Sequence, residues 1–170
     1  MGSGKIPLME LPLPLADLMI TIQIADDMEK VRDLWLEYWA ELGLPGDFQG
    51  FDTELRTLPG KYGPPKGVAG TAYIDGMLAG TVALRPLSGE ACEVKRLFVR
   101  PPFRRRGIGR ALMEWIIREA RQLGYRTVYG DTLPTMTDAM RMYQEFGFRI
   151  LDRPYSKEPT PGAIYLELLL

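Results

Sequence analysis

The segment that most narrows the choice of fold is Val94-Lys95-Arg96-Leu97-Phe98-Val99-Arg100-Pro101-Pro102-Phe103-Arg104-Arg105-Arg106-Gly107-Ile108-Gly109-Arg110-Ala111-Leu112. Its first half is rich in β-branched and aromatic residues and reads as a strand, and the paired prolines end it. From Gly107 the apolar residues Ile108, Leu112, Trp115, Ile116, Ala120 and Leu123 recur at helical spacing, with Arg110, Glu114, Arg118 and Gln122 on the opposite face and Gly124 as the stop. A strand therefore runs through a basic turn directly into a helix that opens Gly-x-Gly. Such a helix start carries unpaired N–H groups and the positive end of the macrodipole, and the two glycines let an anion approach the backbone. Three consecutive arginines add charged donors, which favours a pyrophosphate over a carboxylate. The competing reading is a solvated basic turn whose glycines serve packing alone. A P-loop is excluded because no Gly-Lys-Ser/Thr is present, and a dinucleotide fingerprint because Leu112 stands where the third glycine belongs.

The remainder of the chain supplies an α+β frame for this segment. Met19 to Ile24 reads as a strand, Asp26-Asp27 as the cap of a helix running to about Leu42, and Gly43 with Pro45 as its end. A short helix is expected from Phe51 to Leu58. Asp75-Gly76 separates Val68–Ile74 from Met77–Leu84 as a two-residue hairpin, and Ser88-Gly89 makes the turn into a strand from Glu90 to Val99. After the central helix come a strand over Tyr125–Tyr129 and a helix through Phe146 opened by a Thr135/Asp138 capping box. Strands Phe148–Leu151 and Ala163–Leu170 follow. The order is β-α-α-β-β-β-α-β-α-β-β in a single domain over 18–170, with the strands flanking the central helix as parallel neighbours. Residues 1–17, a Gly-Ser-Gly start with spaced prolines, are expected to be a vector-derived, flexible or docking tail.

Composition removes whole classes of chemistry. The 170 residues contain no histidine, which excludes imidazole bases, Ser-His-Asp and Cys-His triads and His-ligated metals, and no metal is expected. Proton transfer falls to carboxylate, tyrosine, lysine or water. The lone Cys92 forms no internal disulfide, in keeping with a reducing, cytoplasmic setting, and reads as an apolar filler. A net charge of -1 argues against nucleic acid as partner, and no stretch is apolar enough to suggest a membrane segment.

Arg104-Arg105-Arg106-Gly107-Ile108-Gly109 resembles the Arg/Gln-x-x-Gly-x-Gly/Ala signature of the GNAT superfamily of acyl-CoA-dependent N-acyltransferases. Ala139-Met140-Arg141-Met142-Tyr143-Gln144-Glu145-Phe146-Gly147-Phe148 is similar to a second segment of that family, Ala-x-x-Leu-Tyr-x-x-x-Gly-Phe. The resemblance extends from about Met19 to Leu170. It implies a GNAT-like mixed sheet and an acetyl-CoA cosubstrate, with main-chain groups of Leu97, Phe98 and Val99 along the pantetheine arm. Amides from Arg105 to Arg110 would hold the pyrophosphate, so that the cofactor-binding set is Leu97 to Val99 with Arg104, Arg105, Arg106, Gly107, Ile108, Gly109 and Arg110. The arginine side chains reach either the 3'-phosphate or solvent.

The same resemblance implies the chemistry. An amine attacks the thioester directly in a ternary complex, and backbone N–H groups near Leu97 and Phe98 polarise the carbonyl. An alkyl amine of pKa about 10.4 is neutral to only about one part in 10³ at pH 7, which adds about 4 to 5 kcal/mol to the barrier unless a base removes its proton. Glu93 matches the strand glutamate that serves as base in one branch of the family, with burial or an ordered water assisting. Its alternative is a structural glutamate paired with Lys95, Arg96 or another arginine. Tyr143 matches the tyrosine that protonates the departing thiolate, with core packing beside Ala139 and Phe146 as its alternative. Many relatives carry asparagine where this chain has Met136, so that contact does not transfer, and Asp131, Thr132 and Thr135 are the nearby polar substitutes. A non-catalytic acyl-CoA-binding sensor is the competing function.

The acceptor is expected to be a small-molecule or protein amine. Trp35, Tyr38, Trp39, Phe48, Asp52, Glu54, Tyr62 and Tyr155 line the stretches that choose it, unless the aromatics are helix-to-sheet packing. On a regular pleat Glu93, Lys95, Leu97 and Val99 share one face and Cys92, Val94, Arg96 and Phe98 the other; a bulge would upset this parity. The protein is expected as a monomer or as a homodimer paired through its last strand.

Overall fold

The computed structural model describes residues 18–44 and 50–170. The expected tail, together with Pro45 and Phe48, lies outside the described residues. Strand β1 (Ile20–Ile24) leads into helix α1 (Met28–Leu42), where Asp27 accepts a hydrogen bond from the Glu29 amide at 2.9 Å and Gly43 closes the helix in the left-handed region. Helix α2 (Phe51–Arg56) is two residues shorter than expected, and a 3-10 turn, Gly60–Tyr62, follows it. Strands β2 (Val68–Ile74), β3 (Met77–Ser88) and β4 (Ala91–Val99) form the meander. Then come helix α3 (Ile108–Gln122), β5 (Thr127–Thr132), α4 (Thr137–Glu145), β6 (Arg149–Ile150) and β7 (Ile164–Leu169).

The seven strands lie in the order β1-β2-β3-β4-β5-β7-β6. Only β4 and β5 are parallel, as the crossover through α3 requires. That pairing is brief, covering Ala91–Glu93 against Thr127–Tyr129. Beyond Glu93, β4 keeps its ladder with β3 alone, so its backbone from Val94 to Val99 faces an opening in the sheet. On one face of the sheet, α3 buries Ile108, Leu112, Met113, Trp115, Ile116, Ile117 and Ala120 against Cys92, Val94 and Val128. On the other, α1 and α2 pack Val31, Leu34, Trp35, Trp39, Phe51 and Leu55 against Ala69, Ala83 and Phe98.

Several expectations are corrected. The turn between β3 and β4 lies at Gly89-Glu90, with Ser88 opposite Ala91, and β3 runs on through Arg85, Pro86 and Leu87. Strand β5 sits about two residues later than read, which places Asp131 and Thr132 on a strand. The capping box is not formed, because Met136 is the cap of α4 and no side chain bonds there. Strand β7 is inner to β6, which pairs with its outer edge at Leu166 and Glu167 only. Finally, Arg96 takes φ 60° where the β3–β4 register slips between Thr81 and Ala83. This bulge inverts the expected parity beyond it: Leu97 and Val99 join the α3 face with Cys92 and Val94, while Phe98 joins the α1 face.

Candidate active site

The opening beside β4 is floored by one structural element and rimmed by another. A cavity of about 290 Å³ lies there, lined by Tyr38, Val94, Arg96, Leu97, Thr132 and Tyr143 among others. The chain leaves β4 through a 3-10 turn, Pro101–Phe103, whose Phe103 is buried, and enters α3 from Gly107. Gly107 has φ 80°, a conformation that side chains with a Cβ rarely adopt, and no side chain caps the helix start. The first turn of α3 abuts the end of β4 and α4, since a Cβ placed at Gly109 would meet Val99 at 3.8 Å and Met142 at 3.9 Å. The Ile108 side chain is buried in the core, so the backbone alone is available at that position.

The arginines of this turn divide. Arg104 bonds the Val99 carbonyl at 2.9 Å and pairs with Glu41 of α1 at 2.7 Å, and Arg110 pairs with Glu145 of α4 at 2.6 Å. Arg106 has a buried Nη1 without a hydrogen-bond partner. No hydrogen bond or ion pair among the described residues engages Arg105. The residues fit an acyl-CoA on two independent observations: an uncapped helix start beside a buried, unpartnered guanidinium nitrogen, and a strand edge left open beside a narrow cavity.

Tyr143 reaches the opening from α4. It is buried and packs edge-on against Phe148 with ring centroids 5.0 Å apart. Gly130 of β5 makes this possible, because a Cβ there would lie 3.3 to 3.5 Å from the ring and hydroxyl of Tyr143. Burial pushes the Tyr143 hydroxyl well above the usual tyrosine range, so it remains a proton donor. Thr132 adds a buried hydroxyl with no partner to the same cavity.

A second, larger cavity of about 760 Å³ lies between α2 and the segment that follows β6, and Glu54, Arg85, Glu93, Tyr155 and Tyr165 are among its walls. Lys95, Asp131, Thr160 and Pro161 line both cavities, so the two meet there. The walls of the larger one are built from ion pairs. Arg96 bonds Glu54 at 2.6 Å, Arg85 bonds Glu54 at 3.0 Å and Glu93 at 2.8 Å, and Lys95 lies 3.3 Å from Asp131 and 3.7 Å from Glu93. The Tyr155 hydroxyl donates to Glu93 Oε2 at 2.5 Å, and the Tyr62 hydroxyl donates to Glu54. Arg96 also lies over Trp35, Trp39 and Phe51 at 5.0 to 5.5 Å, a cation enclosed by aromatic faces.

Of the residues expected in the site, Leu97 and Tyr143 line the smaller cavity, Glu93 the larger, and Gly107 to Arg110 form the helix start at the rim. Glu93 is paired as its structural alternative foresaw with Lys95, and with Arg85 as the further arginine; Arg96 goes to Glu54 instead. Trp35 is packing, Tyr38 and Trp39 line the smaller cavity, and Glu54, Tyr62 and Tyr155 line the larger one. Arg85, Gly130 and the Arg96 cage escaped the sequence reading. Cys92 faces away from Glu93 in the core, and burial pushes its thiol up to about 12, which removes it as a nucleophile. Among the described residues no helix is long and apolar enough to cross a membrane.

The model of the Acetyltransferase (GNAT) family matches residues 28–148. The chain is 38% identical over 149 residues to an uncharacterized N-acetyltransferase of Schizosaccharomyces pombe, covering 86% of this chain and 91% of that protein. In fold it is similar to an acetyltransferase from Streptococcus agalactiae, with a TM-score of 0.74 at 19% identity over 89% of this chain and 98% of the other. It is also similar to a Salmonella typhimurium protein solved with its cofactor acetyl-CoA. There the TM-score is 0.67 at 18% identity, over 89% of this chain and 94% of the other.

Proposed function

The chain belongs to the acetyltransferase (GNAT) family and is an acetyl-CoA-dependent N-acetyltransferase, and from that premise we propose how its residues share the reaction. The observation that carries the proposal is the meeting of two cavities at Lys95 and Asp131, one beside an open strand edge and one walled by polar side chains. Acetyl-CoA supplies the thioester carbonyl. Main-chain groups of Leu97, Phe98 and Val99 hold the pantetheine arm as an added strand. The amides from Arg105 to Arg110 hold the pyrophosphate, with Arg105 and Arg106 the arginines whose side chains are available to phosphate. Arg104 contributes by anchoring the turn to α1 through Glu41.

The acceptor, a primary amine of a small molecule or a protein, enters the larger cavity and attacks the carbonyl directly. Glu93 is the base that takes the amine proton, and Tyr143 gives a proton to the departing thiolate. The catalytic domain spans 18–170 and works in the cytoplasm without nucleic acid or membrane as partner, as a monomer or a homodimer.

Titration calorimetry with acetyl-CoA, joined to thiol release over a panel of amino acids, polyamines and aralkylamines, tests this reading. Tight binding with release on at least one amine supports it, and failure to bind acetyl-CoA overturns it. Tyr143→Phe is expected to lower turnover by on the order of 10²-fold with acetyl-CoA affinity intact. Glu93→Gln is expected to depress the rate most at low pH, where the fewest acceptor molecules arrive already neutral.

A further inference from the structure

If Glu93 is the base, an amine in the cavity finds both of its oxygens already bonded. Its side chain is only 3% exposed, Arg85 occupies Oε1, and the Tyr155 hydroxyl occupies Oε2. Tyr155, half-buried, lines the acceptor cavity beside Glu93 and is the neutral hydroxyl on its Oε2. We propose that Tyr155 is a catalytic proton relay that carries the amine proton from the acceptor cavity to Glu93. This rests on the assignment of Glu93 as base and extends it.

The ring is held for that task. Tyr155 stacks on Tyr129 with centroids 4.7 Å apart and meets Tyr165 edge-on at 5.5 Å, so its hydroxyl direction is fixed by two aromatic neighbours. A phenol both donates and accepts, and its oxygen is open to a bond from an ammonium while its hydrogen is committed to the carboxylate. In the relay the ammonium N–H bond breaks as its proton passes to the Tyr155 oxygen, and the original Tyr155 proton passes to Glu93 Oε2. Tyr155 begins and ends neutral, Glu93 ends protonated, and the neutral amine keeps the electron pair with which it attacks. Glu93 returns the proton to water by the same path after the product leaves. Burial, with the Glu93 and Asp131 carboxylates, pushes the Tyr155 hydroxyl far above its ordinary range, so the phenol transfers protons without ever ionising. The charged and titratable groups around it are Glu93 and Lys95 of β4, Arg85 of β3, Glu54 of α2, Asp131 and Tyr129 of β5, Tyr143 of α4 and Tyr165 of β7.

Tyr155→Phe removes the hydroxyl and keeps both ring contacts. With the amine that turns over fastest in the panel above, kcat is expected to fall by on the order of 10²-fold with the KM for acetyl-CoA unchanged, while the lost bond to Glu93 lowers the melting temperature without unfolding the protein at the assay temperature. Adding Glu93→Gln to Tyr155→Phe is expected to cost nothing further, because both changes cut one path. In mixtures of light and heavy water the wild-type rate should bow with deuterium content, two protons moving together, and the Tyr155→Phe rate should fall on a straight line. A normal kcat for Tyr155→Phe beside a slow Glu93→Gln rejects the relay and keeps Glu93 as base. Losses that multiply in the double variant, or a change confined to the acceptor KM, also reject it. A normal rate and pH profile for Glu93→Gln overturns the underlying base assignment instead.

Discussion

The two cavities are built by opposite means. The rim beside β4 and α3 is made of backbone: an unpaired strand edge, an uncapped helix start and glycine at a left-handed turn. The acceptor cavity is made of side chains, in which Glu54, Arg85, Glu93 and Tyr155 run as an alternating chain from α2 across the sheet to the segment after β6, with Glu54 also bonding Arg96 of the smaller cavity. A backbone surface holds a constant ligand and tolerates changes of neighbouring side chains. A side-chain surface is adjustable, but each member depends on its partners for charge compensation.

Four substitutions sharpen or break that contrast. The largest effect is expected from Glu54→Ala, which strips Arg96 of its carboxylate and Arg85 of one of two. Loss of a partner to buried charge costs about 3 kcal/mol, to be read from urea unfolding, while acetyl-CoA affinity per folded molecule stays unchanged. Unaltered stability would show that the aromatic cage alone holds Arg96. Next comes Gly107→Val, which forces a β-branched residue to φ 80° and is expected to cost about 2 kcal/mol. Calorimetry should then show acetyl-CoA binding at least about tenfold weaker without any charge removed. Normal binding would mean that the rim is held by its arginines after all. Gly130→Ala pushes a methyl against Tyr143 and is expected to destabilise by about 1 kcal/mol and to lower kcat with acetyl-CoA affinity preserved. A crystal structure with Tyr143 unmoved would contradict it. The smallest effect is expected from Glu41→Ala, whose pair with Arg104 is exposed on both sides. Thermal unfolding should register less than about 0.5 kcal/mol.

The contrast also explains what could be read in advance. Helix α3 and the rim were legible because their constraints are local: apolar spacing along one helix, glycines at its start, prolines ending the strand before it. Of the acceptor cavity, Glu54, Tyr62 and Tyr155 were legible as residues but their partners were not, because the pairs join positions far apart in the chain, such as Glu54 with Arg96 or Glu93 with Tyr155. Register compounds this. A turn read at Ser88-Gly89 sets Leu84 opposite Glu93, whereas the true turn at Gly89-Glu90, with the irregularity beside Pro86, sets Arg85 there. One position decides whether the carboxylate faces a hydrocarbon or a guanidinium. The strand expected over Tyr125–Tyr129 stops short of Asp131 for a similar reason. The apolar run at Tyr125 begins beneath α3, and the strand itself starts later.

The kink at Arg96 behaves as a splice between two half-strands of opposite phase. Upstream of it β4 shows Glu93 and Lys95 to the α1 side, and downstream it shows Phe98 there and returns Leu97 and Val99 to α3. Straightening the strand at that point with every residue kept would exchange the downstream contents of the two cores. Regularity, in this strand, is the arrangement the molecule is unable to use.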